Sequence, residues 1–158
     1  MAKRNIESEI ENDKNLISNH SNHSKYSKII FPNGVKFEGQ FKNGELDGFA
    51  IQDFPDYYRF EGDFVNGKRN GYGVEIYKNG FRFEGHYKND KRNGFGVIIN
   101  PLVEQTFEGI FKDNKRVYGL ITFDDGHHWE IKYRSNKKYR KRSINECEYE
   151  TILGSLKS

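Results

Sequence analysis

A five-residue motif recurs along this chain and restricts its folding more than any other feature: Phe37-Glu38-Gly39-Gln40-Phe41, Phe60-Glu61-Gly62-Asp63-Phe64, Phe83-Glu84-Gly85-His86-Tyr87 and Phe107-Glu108-Gly109-Ile110-Phe111. The copies are spaced 23, 23 and 24 residues apart. Each is followed by a polar turn and then by a second signature: Gly48-Phe49-Ala50-Ile51, Gly71-Tyr72-Gly73-Val74, Gly94-Phe95-Gly96-Val97 and the shorter Tyr118-Gly119-Leu120. A half repeat, Ile29-Ile30-Phe31-Pro32-Asn33-Gly34, leads in, and Trp129-Glu130-Ile131-Lys132-Tyr133 starts a fifth unit. A fixed period of this length marks a tandem array in which one supersecondary unit stacks on the next.

Within a unit, aromatic and polar residues alternate with period two, as in a strand with one apolar face. Asn43-Gly44, Asn66-Gly67, Asn89-Asp90 and Asp113-Asn114 separate the strands of a unit. Asp56-Tyr57, Asn79-Gly80 and Asp125-Gly126 separate successive units. These residue types tolerate the positive φ of tight turns. The expectation is an all-β chain, an up-and-down antiparallel ribbon of β-hairpins over residues 28 to 133. An odd period requires one odd-length loop per repeat. With Asn79-Gly80 as a two-residue turn, Ile76 faces Phe83, Val74 faces Gly85 and Tyr72 faces Tyr87, and the odd loop falls at Asn66 to Asn70 with a bulge. That register gathers Phe60, Gly62, Phe64, Tyr72, Val74 and Ile76 on one face and Glu61, Asp63, Gly71 and Gly73 on the other. The glycines leave room for a neighbouring ring to lie flat.

These motifs resemble the MORN (membrane occupation and recognition nexus) repeat, aromatic-Glu-Gly-x-aromatic, turn, Gly-aromatic-Gly, over about two-thirds of the chain. The resemblance implies an elongated, single-layer, twisted antiparallel sheet with an aromatic groove, used in scaffolds, cytoskeletal and ciliary assemblies and target-peptide binding. The chain departs from the pattern at Ala50, at the longer turn Asn100-Pro101-Leu102-Val103, and before Tyr118, where a Gly is missing.

Composition agrees with a thin sheet: 34% of residues are hydrophobic and 31% charged, yet 15% are aromatic and 16 are Gly. Burial must therefore come from rings packed over glycines. The net charge of +3 creates no global field toward nucleic acid, so no nucleic-acid partner is expected. A lone Cys147 rules out an intramolecular disulfide framework and suits a reducing, cytoplasmic setting, with cytoskeletal or membrane association open.

Residues 1 to 27 are polar and read as a disordered tail in which Ile6, Ile10 and Ile17 form only a weak helical stripe. His20 and His23 lack further ligands, and the adjacent His127 and His128 would point to opposite faces, so no metal site is expected. Residues 134 to 158 read as a basic linker followed by a helix of about ten residues, introduced by Ser143-Ile144-Asn145-Glu146 and stopped near Gly154. With Ile144, Cys147, Ile152 and Leu153 as its apolar side, this helix would dock over the end of the sheet as a cap and shield the last strand.

A single-layer ribbon must cover its rings by its own curl, by a partner, or by both. The partner-binding candidates are Phe41, Phe60, Phe64, Tyr72, Phe83, Tyr87, Phe95, Phe107, Phe111 and Tyr118, onto which a protein partner would lay an amphipathic helix or an extended peptide. Homodimerisation through a terminal strand is a further expectation. A different class of function is binding to an anionic membrane surface. Lys68-Arg69, Lys91-Arg92 and Lys115-Arg116 recur at one hairpin position, and Lys137, Lys138, Arg140, Lys141 and Arg142 cluster near the end. No nucleophile elbow, phosphate loop or cofactor motif is present, so the expectation is a non-enzymatic adaptor without a cofactor.

Overall fold

The computed structural model describes residues 25–134 and 137–158. The expectations for residues 1–24, including Ile6, Ile10, Ile17, His20 and His23, lie outside the described residues. Eleven strands follow one another: β1 (Lys25–Ile30), β2 (Lys36–Lys42), β3 (Glu45–Phe54), β4 (Tyr58–Val65), β5 (Lys68–Tyr77), β6 (Arg82–Lys88), β7 (Lys91–Asn100), β8 (Gln105–Lys112), β9 (Lys115–Phe123), β10 (His128–Arg134) and β11 (Lys137–Ile144), and a helix, α1 (Glu146–Lys157), ends the chain. They form one open antiparallel sheet whose spatial order is the sequence order.

The loops differ from the expected assignment. Within each repeat the turn is the tight one: Val65 pairs with Lys68 across Asn66 (φ 49°) and Gly67 (φ 73°), and Lys88 pairs with Lys91 across Asn89 (φ 49°) and Asp90 (φ 64°). Positive φ at both central residues matches the right-handed strand twist. The odd loop lies between repeats instead. Tyr77 N donates to Phe81 O at 2.8 Å across Lys78-Asn79-Gly80, and the Asn79 side chain accepts from Phe81 N. The expected bulge does occur, since the ladder shifts between Gly62↔Gly73 and Phe64↔Arg69.

This choice of loop moves the β5–β6 register by one residue. Tyr72 pairs with His86, Val74 with Glu84, Glu75 with Phe83 and Ile76 with Arg82. The expected pairs Ile76–Phe83, Val74–Gly85 and Tyr72–Tyr87 are therefore corrected, and so is the proposed face. Phe60, Gly62 and Phe64 share their side with Gly71, Gly73 and Glu75, whereas Tyr72, Val74 and Ile76 join Glu61 and Asp63 on the other.

The core lies on the phenylalanine side. Phe60 and Phe83 are fully buried, and Phe64, Tyr87, Phe107 and Phe111 nearly so. Their rings meet edge to face in an unbroken ladder, Phe64–Phe60–Tyr87–Phe83–Phe111–Phe107–Tyr133, with centroids 5.2 to 5.9 Å apart. Phe60, Phe83 and Phe107 each lie over a cross-strand glycine pair: a Cβ on Gly96 would come within 2.6 Å of the Phe83 ring, and one on Gly73 within 2.4 Å of Phe60. Where Ala50 replaces the second glycine, Phe37 keeps 8% exposure while Phe60 and Phe83 keep none.

The C-terminal segment departs from expectation in three ways. The basic linker is strand β11, paired along β10 and completing a fifth hairpin; its Lys141 ammonium lies 4.6 Å over the Trp129 ring. The helix cap is Asn145 rather than Ser143. Asn145 accepts from Glu148 N and Glu148 accepts from Asn145 N, and α1 runs through Gly154 to Lys157. Finally, α1 packs on the face of the sheet over β8, β9 and β10, not along the β11 edge. Its Leu153, Ile152, Leu156 and Tyr149 cover Leu120, Ile144 and Phe95, while Cys147 is exposed.

Candidate functional site

The two faces carry different chemistry. On the phenylalanine face, Arg69, Arg92 and Arg116 close over the rings of their own repeats, with guanidinium carbons 4.2 Å from the Phe60 centroid, 4.3 Å from Phe83 and 4.9 Å from Phe107. Such stacking adds about 1 to 2 kcal/mol when desolvated. Leu46 holds the corresponding place in the first repeat. The Arg69 and Arg92 side chains are only 12% and 17% exposed. Both are bound by one buried carboxylate, Glu75: Arg69 Nη1 donates to Oε1 at 2.6 Å, and Arg92 Nε donates to Oε2 at 3.2 Å with a second bond from Nη2. Arg69 also donates to the Tyr58 hydroxyl (2.8 Å) and to the Gln52 side-chain amide oxygen (3.1 Å). Burial raises the Tyr87 hydroxyl above the usual phenol range, reinforced by the nearby Glu75 carboxylate.

Glu75 is the charged member of its row. The residue opposite the repeat phenylalanine is Gln52, Glu75, Ile98 and Ile121 in successive repeats. Where the row turns from Glu75 to Ile98, a cleft of about 340 Å³ opens, lined by Phe81, Ile98, Phe111 and Tyr133 with Arg92, Arg116, Asn114 and Lys138 around them. Its lining is mainly polar, cationic and amide groups surrounding a small apolar floor in which Ile98 and Phe111 are themselves nearly buried. Arg116 also approaches the Tyr133 hydroxyl at 3.5 Å.

On the opposite face Glu84 and Glu130 each meet a tyrosine from the preceding repeat. Tyr72 donates to Glu84, and Tyr118 donates to Glu130 at 3.0 Å. Burial, then the adjacent carboxylate, pushes both phenols up to about 12. The Tyr72 hydroxyl and the Arg82 guanidinium in turn hold the Glu84 carboxyl below its ordinary value. At the third repeat the corresponding residue is Phe95, which has no hydroxyl, and Glu108 instead accepts from Tyr149 of α1. Tyr149 also stacks on His128 at 4.3 Å, and His128 meets Glu146 at 2.9 Å and Thr122 at 3.0 Å.

The ten expected groove aromatics thus do not form one surface. Phe60, Phe64, Phe83, Tyr87, Phe107 and Phe111 belong to the buried ladder and Phe41 to the same core, while Tyr72, Phe95 and Tyr118 lie on the helix side. The Lys-Arg pairs divide too. Lys68, Lys91 and Lys115 are exposed beside the tight turns, but Arg69 and Arg92 point into the rung with Glu75. On β11, Lys138 borders the cleft, whereas Arg142 reaches across the other face to Glu130 and Glu148. Glu75, Ile98, Tyr133 and Tyr149 were not singled out from the sequence. The change Gln–Glu–Ile–Ile along a repeat position was the available signal for the first two.

The MORN repeat family model matches residues 37–57, 60–82, 83–101 and 107–128, more than half of the chain. No curated protein matches the chain. Four family matches at the spacing of the hairpins, each beginning on a phenylalanine that lies in the aromatic core, establish that this protein belongs to the MORN repeat family.

Proposed function

We propose that this protein is a non-enzymatic scaffold that holds a segment of a partner protein in the cleft at the third and fourth repeats, organising a cytoskeletal, ciliary or membrane-apposed assembly. The observation that carries this reading is the cleft itself. Arg69 closes over the Phe60 ring in the second repeat, whereas between Phe81, Ile98, Phe111 and Tyr133 about 340 Å³ stays open beside Arg92, Arg116 and Lys138. An apolar anchor next to an aspartate or glutamate fits that combination, the anchor filling the floor and the carboxylate meeting the cations. The test is peptide-display selection on the intact chain. Enriched sequences should pair a bulky apolar residue with an acidic one, and should lose binding to Lys138→Glu and to Ile98→Glu. The second variant fills the cleft and places a carboxylate where Glu75 stands one repeat earlier. Enrichment unaffected by either variant would remove the cleft from the reading.

Exposed Lys68, Lys91 and Lys115, together with the basic strand β11, support a second reading, adhesion to an anionic membrane. Co-sedimentation with phosphatidylserine vesicles should then fall with salt and with Lys68, Lys91 and Lys115 changed to Glu. Equal sedimentation with neutral vesicles would argue against it.

A further inference from the structure

The sheet repeats itself, so the place where α1 docks has a counterpart two repeats earlier. At the α1 seat, Phe95 of β7, Glu108 of β8 and Leu120 of β9 lie side by side, with Glu108 pairing in the ladder with both Val97 and Leu120. The same lattice positions hold Phe49 of β3, Glu61 of β4 and Val74 of β5, with Glu61 pairing with both Ile51 and Val74. These are the two full repeats whose signature aromatic is a phenylalanine, so in neither does the sheet supply the hydroxyl that Tyr72 and Tyr118 give to Glu84 and Glu130. At the first seat, α1 fills the gap. Tyr149 donates to Glu108, and the Lys157 ammonium lies 4.0 Å from Glu108 and 5.8 Å from the Phe95 centroid. Ile152, Leu153 and Leu156 complete the apolar contact. The covered Glu108 side chain keeps 14% exposure, whereas Glu61 keeps 38% and Phe49 53%.

We propose that Phe49, Glu61 and Val74 form a second helix seat, which takes an amphipathic helix of a partner protein carrying a tyrosine for Glu61 and a lysine or arginine about two turns later. The occupant's chemistry follows from three features. First, the seat shares the face that α1 already covers: Tyr72 and Ile76, which flank Val74 on β5, and Ile99 on β7 are 39 to 45% exposed, with Arg82, Glu84 and His86 of β6 between the two seats. Exposed apolar side chains set among charged ones, on the face where a helix already docks, suit another amphipathic helix. Second, Arg59 already holds Glu61 at 2.6 Å, but Asp63 stands where Ile110 borders the first seat and adds a carboxylate there that can meet a cation of the partner. Third, Arg82 occupies the place of His128, and a guanidinium face accepts a tyrosine ring as the imidazole accepts Tyr149. In α1 the pattern is Tyr149, then Ile152, Leu153, Leu156 and Lys157, one face of a helix. The seat lies on the side of the sheet opposite the cleft proposed above, so either can fail alone.

The probe is a labelled peptide of residues 143–158 with Cys147→Ser, titrated into the full-length chain whose own α1 remains docked. Saturable binding is expected, with amide shifts centred on Phe49, Glu61 and Val74. Phe49→Ala should weaken it about tenfold or more, since an aromatic anchor is lost, and Tyr149→Phe in the peptide several-fold. Phe49 is more than half exposed, so this substitution spares the fold, which circular dichroism verifies. Lys138→Glu should leave binding unchanged. No saturable binding up to about 1 mM, binding insensitive to Phe49→Ala, or shifts confined to Phe95 and Leu120 through exchange with the resident helix would each overturn the proposal. Dimerisation of the chain that depends on Phe49 would assign the seat to a second copy and overturn the commitment to a different protein.

Discussion

At Gly96 the absence of a side chain determines where an aromatic ring can lie. A Cβ there would meet two Phe83 ring atoms at 2.6 Å and the Glu84 carbonyl at 3.2 Å. Gly96→Ala should therefore cost about 1 to 3 kcal/mol through overpacking, read as a lower urea midpoint with unchanged slope. Glu75 tests a different force. Glu75→Gln leaves two nearly buried guanidinium groups without their shared anion, and should cost about 3 to 5 kcal/mol. The triple variant Arg69→Leu, Glu75→Ile, Arg92→Leu should be far milder, because it removes all three charges and installs residues the array already uses at those positions, Leu46 and Ile98. A triple variant as unstable as Glu75→Gln would show that the rung acts by geometry rather than by charge balance.

Among the elements, hairpin turns and α1 are held by bonds that cross from one repeat to the next. At the bulge the Arg69 backbone turns toward the following hairpin. Asp90 N donates to Arg69 O at 3.0 Å, and Arg69 N donates to the Asp90 carboxylate at 2.9 Å. Asn114 makes the same pair of bonds with Arg92. Asn114→Gly keeps the positive φ but removes the side-chain acceptor, and should cost about 1 kcal/mol, measured by chemical denaturation. Helix α1 is sensitive to alkali. Burial, then the Glu108 carboxylate, pushes the Tyr149 phenol up to about 12 from an ordinary 10. A raised folded-state value means that the neutral phenol is the docked form. Its contribution is whole below about pH 10 and is lost as pH rises toward 12. Tyrosinate absorbance should rise together with loss of the α1 contacts in that window. Tyr149→Phe should delete that step while leaving the late titration of Tyr72 and Tyr118.

Over the whole molecule, every strand pairs only with its sequence neighbours, so stability is a chain of nearest-neighbour interfaces rather than one central core. Eleven strands about 4.8 Å apart extend the sheet roughly 50 Å along its stacking direction. The fully buried rings lie in the middle, at Phe60 and Phe83, and among the described residues β1 and β11 are the two edge strands. Hydrogen exchange should accordingly be slowest in β4 to β8 and fastest at β1, with β11 held longer through the Arg142 bonds to Glu130 and Glu148. Uniform protection from β1 to β11 would mean that the array unfolds as one block. Lysines and arginines on β11 hinder edge-to-edge addition there, while β1 carries only Lys25 and Lys28. Any strand-mediated self-association therefore belongs to β1.

The amino-acid sequence alone determined the family, the all-β class, the hairpin order and the burial of rings over glycines. Each of these follows from a period of 23 and from alternation within a few residues, which are local properties of the chain. Which turn carries the odd residue was not decided locally. Asn66-Gly67 and Asn79-Gly80 are chemically alike, and only the twist and pairing of the assembled sheet allotted the two-residue turn to one and the three-residue loop to the other. That single residue moved Tyr72, Val74 and Ile76 to the helix face and brought Glu75 among the arginines. The basic segment was equally ambiguous, because Lys137 to Ile144 becomes a strand only with β10 beside it. The cleft, the rung and the helix seats all depend on which residues are opposed across strands, and that register exists only once the sheet has formed.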